Sequence, residues 1–122
     1  MLVNRVLELD DGYDKGAAHE FFISYEGSRP GGSAAKAREH FERALQLSQG
    51  QRASVYIALA ESVDLPAQNL GEFRSMLDKA SSVDPDRAPE SRLINTIARE
   101  RAEWLRTRIP DLFADATEME TP

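Results

Sequence analysis

The chain has 122 residues with 21 acidic and 15 basic side chains, a net charge of −6, two histidines and no cysteine. That length makes one domain able to bury roughly two-thirds of its unfolded surface, and the acidic balance argues against a nucleic-acid partner, which favours a basic face. Without cysteine there are neither disulfides nor thiolate zinc sites, and no apolar run nears the roughly 20 residues that span a bilayer.

The abundance of Ala, Leu, Glu and Arg suits an all-α fold. In chain order, Leu2 to about Leu9 predicts a helix that stops near Asp10-Asp11-Gly12. Asp14–Ser28 predicts the next, with Asp14 as N-cap. Gly27 to Ser33 is a break, and Ser33 is placed to cap the third helix. Ala34–Leu47 and Arg52–Val63 predict an antiparallel pair, with Gly50 suited to the left-handed position after a helix end. Leu65-Pro66 closes it, because the residue before proline is pushed out of helical geometry. Asn69 caps a helix carrying Leu70, Phe73, Leu77 and Ala80, and Asp84-Pro85-Asp86-Arg87 ends it. Ala88 to about Arg108 is the last and longest helix, with Leu93, Ile94, Ile97, Ala98, Trp104 and Leu105 as its apolar side. The division expected is a helical domain over 1–109 and an acidic, frayed tail over 110–122.

The central pair repeats. Phe41, Ala44, Leu45 and Leu47 have counterparts in Val3, Val6, Leu7 and Leu9, 38 positions back, and in Leu77, Ala80, Ser81 and Val83, 36 positions on. Tyr56, Leu59, Ala60 and Val63 repeat 38 positions back as Ala18, Phe21, Phe22 and Tyr25, and 38 on as Ile94, Ile97, Ala98 and Arg101. A fixed period of this size marks a helical solenoid, and the nearest template is the tetratricopeptide repeat of about 34 residues. The expected architecture is therefore a tetratricopeptide-like α-solenoid of six antiparallel helices. Its first helix exposes Leu2, Val3, Val6 and Leu7, more apolar surface than a monomer tolerates, which predicts an oligomer and favours a homodimer.

Motifs for chemistry fail on spacing. His19-Glu20 begins like a zinc-protease helix, but position 23 is Ile, so two imidazoles do not share a face. His19 and His40 are separated by a loop and no third ligand is evident, so no metal and no cofactor is expected. Asp10-Asp11-Gly12-Tyr13-Asp14 and Asp84-Pro85-Asp86 lack the glycine and distal glutamate of a calcium loop and read as helix stops and caps. Ser48, Ser54 and Ser62 lack the elbow of a nucleophilic serine, and no acid–base constellation announces an enzyme. Arg99 to Glu103 reads as a solvated face.

In a stack of this kind the second helix of each unit lines the concave surface. That places His19, Glu20, Tyr25, Tyr56, Glu61, Ser62, Asn95 and Arg101 at a groove. Glu61 needs a partner when half-buried, and Arg101, which replaces an apolar residue of the repeat, is placed to supply it. The alternative for the whole set is that these groups only tie adjacent helices together.

Gly16-Ala17-Ala18-His19-Glu20-Phe21 with Tyr25, Ala37 to Leu45, Leu59 to Val63, and the run from Leu93 to Leu105 resemble the T-component (TatT) family of TRAP transporters over residues 5–112. The resemblance implies a bacterial helical-repeat accessory protein of periplasmic solute uptake that binds a solute-binding protein, oligomerises and encloses a pocket for apolar organic ligands. Compared with longer members, the N-terminal repeats, signal and lipid-bearing cysteine are not seen, so family likeness suggests the periplasm while Met1 to Arg5 shows no signal peptide. The function expected is non-enzymatic protein–protein interaction. Two alternatives are a carrier of a small apolar organic acid, in a cavity lined by Phe21, Phe22, Tyr25 and Tyr56, and a generic tetratricopeptide adaptor.

Overall fold

The computed structural model describes residues 17–28, 31–87 and 89–114. The expected first helix with Leu2, Val3, Val6 and Leu7, the Asp14 cap and the end of the acidic tail lie outside the described residues. Within them the chain is all-α, with no strand. Helix α1 spans Ala17–Ser28, α2 Ala34–Ser48, α3 Ala53–Leu59, α4 Leu70–Ser82 and α5 Arg92–Leu112; a π turn, Ala60–Asp64, continues α3, and a 3₁₀ turn, Pro89–Ser91, precedes α5.

Local chemistry sets these limits. Ser33 Oγ accepts from Lys36 N–H at 3.2 Å and starts α2, and Asn69 Oδ1 accepts from Glu72 N–H at 3.2 Å and starts α4. The α2 end differs from expectation in one respect. Gln49 is left-handed (φ 56°) ahead of Gly50 (φ 70°), so that Gly50 N–H reaches Leu45 O at 3.1 Å and closes the turn. The expected single helix over 52–63 changes register at Ala60: Leu65 N–H bonds Ala60 O, and Asn69 N–H bonds Asp64 O, both five residues back at 2.9 Å. Helix α5 runs past Pro110 instead of stopping before it. Proline forfeits one helical bond there, but the end is held by Phe113 packed against Phe73, centroids 4.8 Å apart, and by Gln68, whose amide donates to Leu112 O and accepts from Ala114 N–H.

Packing follows the chain: α1 lies on α2, α2 on α3, α3 on α4 and α4 on α5, while α1 and α5 also lie against α3. Phe41, Leu59, Phe73, Leu77 and Leu105 centre the core. Two helices are rotated from the face the repeat suggested. Helix α5 buries Asn95, Ala98, Ala102, Leu105 and Ile109 and leaves Leu93, Ile94, Ile97 and Trp104 exposed. Asn95 fixes that rotation: its Oδ1 accepts from Ala53 N–H and its Nδ2 donates to Gln51 O, both at 2.8 Å, so α5 supplies the cap that α3 lacks. Helix α1 buries Ala18, Phe22 and Ile23 and turns Phe21 and Tyr25 outward. Gly27 permits this approach, since a Cβ there would lie 2.7 Å from Ser62 O.

Candidate functional site: the groove between α1, α3 and α5

Helices α1, α3 and α5 and the π turn enclose a groove of about 280 Å³ lined by Ser24, Ser54, Ile57, Ala58, Glu61, Ser62, Ile97, Ala98 and Arg101. Its floor is apolar because Ile57 and Ala98 belong to the core. One polar feature crosses its mouth. Arg101 Nε donates to Glu61 Oε1 at 2.7 Å, with the two side chains 47% and 31% exposed. The hydrogen bond to Glu61 holds the Arg101 guanidinium above its ordinary pKa, against the opposing effect of burial. The same guanidinium lies 4.6 Å from the Trp104 ring centroid, and Arg108 lies 5.7 Å from it. Trp104 is half exposed, on the same side of α5 as Ile97.

The eight residues singled out in the sequence divide among several places. Glu61, Ser62 and Arg101 line the groove. Glu20 stands at its Ser54 end, where Oε1 accepts from Ser54 Oγ and from Arg52 Nε, each at 2.8 Å, tying α1 to the start of α3. Tyr25 stacks with Phe21 on the outer face of α1, centroids 6.1 Å apart. His19 turns to α2 instead, its Nδ1 2.8 Å from His40 Nδ1, and the His40 ring stacks on Phe22. Burial, then the neighbouring His19, lowers the His40 pKa, with Glu26 and Glu39 pulling weakly the other way. Asn95 is fully buried and both ends of its amide serve the backbone, so it ties helices together and faces no groove. Tyr56 packs on Phe41 and borders a different, more polar cavity of about 440 Å³ with Gln51, Lys79 and Arg87. Of the aromatic set expected to line a cavity, Phe21, Phe22 and Tyr25 contact one another on α1, while Tyr56 packs on Phe41.

A further cluster carries no signature in the sequence. Asp64, the last residue of the π turn, is fully buried, and neither of its carboxylate oxygens accepts a hydrogen bond. Arg38 stands 3.8 Å from Asp64 Oδ1 but gives both Nη atoms to Glu72, at 2.6 and 3.2 Å. Burial first, then the adjacent Glu72 carboxyl, pushes the Asp64 pKa up to about 8, while Glu72, beside Asp64 and bonded to Arg38, is held low. Among the described residues no set of three His, Cys, Asp or Glu side chains is grouped to hold a metal ion.

The family model of the TRAP transporter T-component matches residues 1–113. The chain belongs to that family. An uncharacterized protein of Treponema pallidum (strain Nichols) is 27% identical over 118 residues, covering 94% of this chain and 36% of the relative. The chain thus spans about a third of the length of the curated relative it matches. In this T-component chain no helix among the described residues is long and apolar enough to cross a membrane. What the groove offers chemically is a small apolar floor, one charged pair at its mouth and a half-exposed indole beside it, a set suited to recognition.

Proposed function

We propose that this chain is a non-enzymatic accessory protein of TRAP-type solute transport, and that its groove and the adjoining side of α5 receive a solute-binding protein or a sister subunit. The reading takes the helices as a short tetratricopeptide-like stack in which α1, α3 and α5 form the concave side. The observation that carries it is Trp104, half exposed between the Arg101 and Arg108 guanidinium groups and close to the exposed Ile97. Tryptophan and arginine dominate the energetic centres of protein interfaces, and a helix side with Leu93, Ile94, Ile97 and Trp104 uncovered is a costly surface to leave in water.

The test is calorimetric titration of the cognate TRAP solute-binding protein into the wild-type chain and into Trp104→Ala. Saturable binding that the substitution weakens at least tenfold supports the reading. No heat with the binding protein, together with a monomer by light scattering at micromolar concentration, overturns both choices of partner.

A further inference from the structure

A buried carboxylate whose oxygens accept nothing is a costly arrangement, and the described residues offer Asp64 no hydrogen-bond donor to answer it. Arg38 is the nearest cation, and its fork is already spent on Glu72. A proton on Asp64 resolves the conflict: the acid then donates to the Glu72 carboxylate, and Arg38 balances the one remaining negative charge. We propose that Asp64 carries a proton at neutral pH and latches the π turn to α4 through Glu72, so that losing the proton releases the turn that forms one wall of the groove.

The placement explains why the latch matters beyond its own contact. Asp64 ends the same turn that carries Glu61 and Ser62 to the groove, and its own carbonyl accepts Asn69 N–H at the start of α4. Ionised, Asp64 and Glu72 are two like charges facing a single guanidinium, and the turn has to move to hydrate the newly charged group. Among the described residues the charged groups around it are few. Glu72 comes from α4 and Arg38 from α2, with Lys79 acting on Glu72 from further along α4. From α1, Gly27 meets the turn at Ser62, and the nearby Glu26 carboxylate accepts from Ser33 N–H. Within the turn, Glu61 is taken by Arg101. The packed α3 residues, Tyr56 to Leu59, carry no charge at neutral pH. The latch is independent of what the groove receives.

The linkage has a definite sign. The folded chain keeps the Asp64 proton up to about pH 8, whereas the unfolded chain gives it up near 3.8, so the folded state holds more protons between these values and stability falls as pH rises. Asp64→Asn keeps the shape and the donor to Glu72 and cannot ionise. Denaturant melts at several pH values compare the two chains. The folding constant of the wild type relative to Asp64→Asn is expected to fall about tenfold per pH unit from about pH 5 to 7. Trp104 is the single tryptophan and touches Arg101, so its fluorescence reads the groove. It is expected to shift between about pH 7 and 9 in the wild type and to stay level in Asp64→Asn. Equal pH slopes for the two chains, or equal fluorescence shifts, overturn the proposal. Should Asp64→Asn not fold, the infrared carboxylic-acid band of the wild type decides: its presence at neutral pH and loss on raising the pH supports the latch, and its absence at neutral pH refutes it.

Discussion

Arg101 and Glu61 meet across the groove at 2.7 Å, forty residues apart in sequence, and the contact joins α5 to the π turn. Both partners are partly exposed, so the pair adds little to stability, about 0–1 kcal/mol. Its effect is to hold the guanidinium against Trp104. Glu61→Gln should leave the melting temperature nearly unchanged and alter the Trp104 emission, measured in one fluorescence-detected melt. A loss of several kcal/mol would show that the pair is a structural element instead of a feature of the mouth.

Asn95 is the opposite case: a polar side chain with no exposure, holding Ala53 N–H and Gln51 O at once. Asn95→Ala strands the buried Ala53 N–H and leaves the half-buried Gln51 carbonyl without its donor. At about 1–3 kcal/mol for each buried group left unsatisfied, urea unfolding should show a loss of about 2–6 kcal/mol, toward the lower end because Gln51 is only half-buried. Asn95→Asp keeps the acceptor for Ala53 N–H but, ionised, sets a buried carboxylate against Gln51 O, so at neutral pH it should cost at least as much as alanine in the same experiment. A cost for Asn95→Ala below about 1 kcal/mol would mean that water replaces the amide.

Gly27→Ala sets propensity against packing. Alanine in a helix interior is favoured over glycine by about 1 kcal/mol. Here the added methyl would lie 2.7 Å from Ser62 O and 2.9 Å from Ser62 Cβ, and the nearest obstacle is backbone. Overpacking of this kind costs about 1–3 kcal/mol, so the net effect expected in a denaturant titration is destabilisation, with α1 lifting from the π turn. An increase in stability would show that the two elements separate freely.

The all-α class and the main helices were legible because they rest on local chemistry: the Ser33 and Asn69 caps are both present. So is the Glu61–Arg101 contact, which is signalled by a charge standing in an apolar column of the repeat. Helix rotation was not legible. Apolar spacing marks Ile94 and Ile97 as inward, yet Asn95 and the small residues Ala98 and Ala102 let α5 settle closer with its larger residues outward. That choice is made by two hydrogen bonds to the start of α3 and the turn before it, more than forty positions away, which periodicity does not encode. The Asp64 cluster escaped for the same reason. An aspartate before Leu65-Pro66 looks like an ordinary helix stop, and only its burial in the fold and the approach of Glu72 from another helix, against the opposing pull of Arg38, raise its pKa.

The His19–His40 contact predicts acid sensitivity. With the two Nδ1 atoms 2.8 Å apart, one ring donates and the other accepts, so both cannot be fully protonated in place. Burial and His19 lower the His40 pKa below 6.5, so the unfolded chain binds the proton more readily and stability falls as pH drops below about 6.5. The fall ends once pH passes the folded-state value. Asp64 acts with the opposite sign over part of this range, so the effect of the histidine pair is best isolated in Asp64→Asn, whose melting temperature should be lower at pH 5.5 than at pH 7.5. His40→Gln in that background should melt lower throughout, having lost the ring stacked on Phe22, but with a flatter pH profile. An NMR titration of the His40 imidazole checks the cause directly. A midpoint above 6.5 would mean that the neighbouring Glu26 and Glu39 carboxylates outweigh burial, and the acid sensitivity would then have to arise elsewhere.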